Sequence, residues 1–98
     1  MNQEIQVSEI QIVPVKPQDG LIAFASFVLD EKYYLGSVAV YTRLNGEGFR
    51  LAYPTKKLGD KSINIFYPIN SETGQIIEKA ISEKVKGLFN ENYHGKIE

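Results

Sequence analysis

Nine consecutive residues, Leu21–Leu29 (LIAFASFVL), are apolar at nearly every position and have a turn signal on each side: Asp19-Gly20 before and Asp30-Glu31-Lys32 after. The run is short, carries Phe and Val, and is tightly bounded. It predicts a central β-strand covered on both faces. The rest of the chain must then supply a neighbour for each edge of this strand and a cover for each face.

The neighbours are legible on both sides. Tyr33–Thr42 reads as the returning strand, with Tyr33, Leu35, Ser37, Ala39 and Tyr41 on one face and Tyr34, Val38 and Val40 on the other. Gly36 marks a bulge within it. Upstream, Ile5, Val7, Ile10, Ile12 and Val15 are apolar in an extended segment whose alternation shifts phase between Val7 and Ile10. The shift predicts a β-bulge at Ser8 and Glu9 or a break into two strands. Pro14 and Pro17 are expected to end the segment, because neither can donate to a ladder. Downstream, Asn45-Gly46-Glu47-Gly48 is a hairpin turn and Phe49–Tyr53 a fourth strand. The stretch 54–62 is expected to be a polar loop, and Ile63–Tyr67 a fifth strand.

Pro68 ends that strand. Asn70 or Ser71 is placed to cap a helix, since either side-chain oxygen can accept a free N–H of the first turn. Glu72 then suits the positive helix end. Ile77, Ala80, Ile81, Val85 and Leu88 recur at helical spacing as one apolar stripe, with Lys84 at its edge. Gly87 and Asn90 weaken the helix, and the polar tail 89–98 is expected to fray. The expected fold is α+β: an antiparallel meander of about five strands and one C-terminal amphipathic helix, in a single domain with its core at about 7–88. One helix covers one sheet face. The second face calls for a homodimer formed through the sheet.

Composition narrows the function more by exclusion than by assignment. With no cysteine, disulfides and thiolate metal sites are ruled out. No stretch nears the roughly 20 apolar residues of a membrane helix, and the start of the chain lacks the basic-then-apolar pattern of a signal peptide. A cytoplasmic protein with no membrane partner is expected. The one histidine, His94, lies in the tail, away from any nucleophile and orienting group, so no catalytic triad can be assembled. No metal site, cofactor or small-molecule substrate is expected, and the chain reads as a non-enzyme.

The formal net charge of −1 argues against nucleic-acid binding by bulk charge, but the charges are unevenly placed. Lys56, Lys57 and Lys61 cluster with only Asp60 among them. They read either as a solvated loop or as phosphate contacts. Asn70, Ser71 and Thr73 read either as plain helix capping or as capping that also presents N–H groups to a phosphate.

Several segments resemble the SpoVG family of bacterial septation and stage V sporulation regulators. LIAFASFVLDEKYYLGSVAV is similar to that family's strand-turn-strand core, A-x-A-S-x-x-L-D followed by an aliphatic strand. FRLAYPTKK resembles F-V-x-M-P-S-K-R, and IFYPINSETGQIIEKAI resembles I-A-H-P-I-N-S-x-T-R-x-x-I-x-x-A-I/V. The resemblance spans roughly residues 7–85. It implies a small α+β domain that dimerises through its sheet and regulates genes by binding DNA and in some cases RNA. Lys56 and Lys57 match the family's basic pair; Asn70, Ser71 and Thr73 match its helix entry. Gly74 stands where the family carries arginine, Ile63-Asn64 where it carries Arg-Asp, and Tyr67 where it carries histidine, so at least two cationic positions are lost. The alternative is a protein-interaction module of the same fold without nucleic-acid affinity.

Overall fold

A computed structural model describes the backbone of residues 5–97 and the side chains of residues 5–89. Four strands, β1 (Val7–Gln18), β2 (Leu21–Leu29), β3 (Tyr33–Thr42) and β4 (Phe49–Ala52), form an antiparallel sheet in the order β1-β2-β3-β4. A separate two-stranded hairpin follows, β5 (Thr55–Leu58) and β6 (Lys61–Asn64), and then one helix, α1 (Ser71–Ile97).

The turns follow local chemistry. Asp19 and Gly20 take φ of 55° and 89°, the left-handed pair that a two-residue hairpin loop requires. Asp30 and Glu31 both sit at φ 55°, and Lys32 N–H closes the turn onto Leu29 C=O at 3.0 Å. Asp30 also holds the start of the chain: its Oδ1 accepts Gln6 N–H at 2.9 Å, and its own N–H donates to Gln6 C=O at 2.8 Å.

Two bulges set which residues face the core. The expected one in β1 is present, with Glu9 at φ 50° and a register shift between Ser8 and Gln11. The second lies at Gly36–Ser37, where Ser37 has φ 64° and two residues of β3 oppose Ser26 alone. It reverses the side-chain phase along β3. Leu35 therefore pairs with buried Phe27 and joins Val38 and Val40 on the core side, while Tyr34 pairs with Val28 and is exposed. Strict alternation had put Leu35 and Tyr34 on the opposite faces.

Three other expectations are corrected. β1 runs through Pro14 and Pro17 to Gln18. It can do so because it is an edge strand, where a missing donor need not break a ladder. The stretch 54–62 is not a loop; most of it forms the hairpin. Ile63–Tyr67 adds no fifth strand to the sheet, since only Ile63 and Asn64 are paired and their partners are Lys56 and Thr55.

The core lies between the sheet and the helix. Ala23, Ala25, Phe27, Val38 and Val40 from β2 and β3 meet Ile77, Ile81 and Val85, three residues spaced by four on one side of α1. Burying a residue the size of Phe27 stabilises the fold by about 1.5–3 kcal/mol. The other face of β2 has no cover within the chain: Val13, Phe24 and Tyr34 are 60%, 39% and 71% exposed.

Candidate nucleic-acid interface

Thr55–Leu58 and Lys61–Asn64 pair in register around a Gly59-Asp60 turn, with Gly59 at φ 64°. The hairpin is tied to the strand before it by Ile65 N–H donating to Pro54 C=O at 3.0 Å. Every residue of both strands is exposed. Pairing and alternation divide the lysines. Lys56 opposes Ile63 and Leu58 opposes Lys61, so these four share a face; Lys57 opposes Ser62 and lies on the other face with Thr55 and Asn64. Lys56 and Lys61 thus act together beside two apolar side chains, and Lys57 projects the other way.

Asn70 is the helix cap. Its Oδ1 accepts Thr73 N–H at 2.8 Å, and its C=O accepts Gly74 N–H at 3.2 Å as the first intrahelical bond. Ser71 is the first helical residue and is exposed; the Thr73 N–H is already taken by the cap. The helix rests on β1 and β4. Asn70, Ser71 and Thr73 are accordingly brought to the β4 side of the sheet. His94 lies outside the described side chains. Among the described residues no group of three His, Asp or Glu could hold a metal, and no helix is long and apolar enough to cross a membrane.

A second cationic feature has no counterpart in the sequence reading. A cleft of about 310 Å³ opens between the β3–β4 end of the sheet and the first two turns of α1. Arg43, Arg50, Leu51, Tyr53, Ser71, Gly74, Gln75 and Glu78 line it. Arg43 is ion-paired to Glu78. Arg50 has its guanidinium 4.5 Å from the centre of the Tyr41 ring. Tyr53 packs edge-on against Phe66 with ring centroids 5.8 Å apart, and its hydroxyl is buried without a hydrogen-bond partner. Burial, with the Glu78 carboxylate adding to it, pushes the Tyr53 hydroxyl up to about 12. Gly74, which stands where the resemblance expects arginine, forms part of the wall. A Cβ added there would meet Pro68 Cγ at 3.5 Å, so a side chain is not shut out by its neighbours.

The family model SpoVG matches residues 5–87. The chain belongs to the SpoVG family. Relatives carrying the name septation protein SpoVG include one from Agathobacter rectalis, 31% identical across 84% of this chain and 93% of its own length. Another, from Phytoplasma australiense, is 26% identical across 96% of this chain and 97% of the relative. A third, from Treponema denticola, is 28% identical across 81% and 84%. The matched span takes in the sheet, the hairpin and most of the helix.

Proposed function

We propose that this chain is a non-enzymatic, nucleic-acid-binding regulator of the SpoVG type, working in the cytoplasm as a homodimer, with DNA or RNA as ligand and control of septation or sporulation as its role. The observation that carries the reading is the hairpin. It holds three exposed lysines against one aspartate, and none of the lysines is ion-paired among the described residues. Lys56, Lys57 and Lys61 supply phosphate contacts, and Asn70, Ser71 and Thr73 shape the helix entry beside them. Family membership and the relatives' naming as septation proteins support the same assignment.

Dimerisation is supported by the uncovered sheet face. Gln11, Val13, Phe24, Ser26, Tyr34 and Ser37 line a shallow apolar depression there, and Val13, Phe24 and Tyr34 gain most from cover. Two copies double the lysine set to about 4–6 phosphate contacts, so log affinity for duplex should fall with log salt at about −0.9 per contact.

Changing Lys56→Glu together with Lys57→Glu should abolish binding in a gel-shift titration while the circular dichroism spectrum stays that of the wild type. Unchanged affinity would remove the assignment. A protein-interaction module is the second reading, favoured by exposed Leu58 and Ile63 on the Lys56–Lys61 face. Capture of a partner that survives nuclease, with no binding to duplex or single strands at low salt, would select it.

A further inference from the structure

Arg43 and Arg50 are the only arginines of the chain, and both line the cleft between β4 and α1. They come from the two sides of the β3–β4 hairpin loop and meet Ser71, Gln75 and Glu78 only through packing of the helix. Arg50 has no carboxylate partner among the described residues, and its stacking on Tyr41 fixes the guanidinium plane while leaving the N–H edges open. Tyr53 contributes a buried hydroxyl that has lost water and gained no protein partner, a loss of about 1–3 kcal/mol that an incoming acceptor can recover. Two guanidinium groups against one carboxylate leave the lining one positive charge in excess.

We propose that this cleft binds one phosphate group as a phosphodiester, with Arg50 as the principal contact, Tyr53 and Ser71 as neutral donors, and Glu78 setting the charge limit. A phosphodiester carries one negative charge and matches the excess; the dianion of inorganic phosphate brings a second charge against Glu78 and is disfavoured. The proposal rests on the nucleic-acid reading, in which the diester belongs to the same strand that the hairpin lysines hold. It restores, from β3 and β4, cationic contacts that Gly74 no longer supplies from the helix.

The test uses the full chain and two readouts. The first follows the Arg50 Nε–H and the Gln75 amide by NMR during titration with a dinucleoside monophosphate and, separately, with inorganic phosphate. The cleft is supported when the dinucleoside monophosphate moves both signals at lower concentration than inorganic phosphate does. It is overturned when neither probe moves them, and the diester assignment is overturned when inorganic phosphate is the equal or better ligand. The second compares single-stranded oligonucleotide affinity for wild type, Arg50→Gln and Gly74→Leu across a salt series. Loss of one contact should weaken binding about three- to tenfold and lower the salt slope by about 0.7. Gly74→Leu fills the cleft without touching a charge, and should reproduce the weakening. If the oligonucleotide binds equally to all three proteins, the cleft proposal fails and the lysine hairpin stands. If no oligonucleotide binds, the nucleic-acid reading fails, and so does the cleft as part of it; a cleft that still prefers the dinucleoside monophosphate in the first readout would then be a small-ligand site.

Discussion

The two cationic regions of this molecule are built in opposite ways. The hairpin carries ammonium groups on side chains with no ion-pair partner among the described residues, split between two faces of a ribbon exposed along both strands. The cleft carries guanidinium groups that are already held, one by Glu78 and one by Tyr41. A free ammonium attracts any phosphate and loses rotamer freedom on contact. A held guanidinium has given up that freedom in folding and accepts only a group that fits its fork. The hairpin is therefore suited to affinity and association rate, and the cleft to position.

Charge reversal separates the two regions most strongly. Lys56→Glu with Lys57→Glu exchanges attraction for repulsion and should reduce affinity by more than about a hundredfold at low salt, because log affinity follows the number of phosphates neutralised. A gel shift or anisotropy titration reads it. Glu78→Gln acts on the cleft in the other direction. It frees Arg43 and raises the excess charge, so affinity should rise about three- to tenfold, and discrimination against inorganic phosphate should narrow. A fall in affinity would mean that Glu78 is needed to hold Arg43 in place.

Asn70→Ala removes the helix cap and should cost about 1 kcal/mol in a urea melt. Oligonucleotide affinity measured on the folded protein should change little, since the cap's oxygen is spent on Thr73 N–H. The smallest effect is the most diagnostic. Tyr53→Phe deletes a hydroxyl that has no partner, so it should leave stability unchanged or raise it by less than about 1 kcal/mol. The same change should weaken dinucleoside monophosphate binding, an opposition of sign that a purely structural hydroxyl would not produce. The hydroxyl's raised value also gives an alkaline signature. In the wild type the neutral form is favoured by folding, so its contribution is full below the ordinary pH of about 10 and is lost as pH rises towards about 12. The phenylalanine variant should lack that part of the alkaline decline.

The sheet was legible because its signals are local. Asp19-Gly20, Asp30-Glu31 and Asn45-Gly46 punctuate apolar strands, and Ile77, Ile81 and Val85 repeat at the helical period. The β5–β6 hairpin was hidden because lysine, serine and asparagine fill the places where apolar alternation is sought. Its turn could have been found: Gly59-Asp60, two residues between Leu58 and Lys61, is a hairpin dipeptide in its own right. The reversal at Ser37 left only Gly36 as a hint, since one residue of αL backbone is invisible to a period-two count. The lysines and the cap were read from spacing. The arginine cleft was beyond any such reading, because Arg43 and Arg50 meet Ser71 and Glu78 across a separation that only the docked helix closes.

The outer border of the sheet bears on how copies of this chain can assemble. β1 carries Pro14 and Pro17 along the side where no further strand is paired, and each proline removes a backbone donor that an incoming strand would need. Lateral growth by strand addition is blunted on that border. What remains open is the flat patch around Phe24, and a contact that uses the same patch twice closes on itself. Association is thereby steered to a finite pair rather than an endless ribbon, a safeguard against fibre formation written into two imino acids.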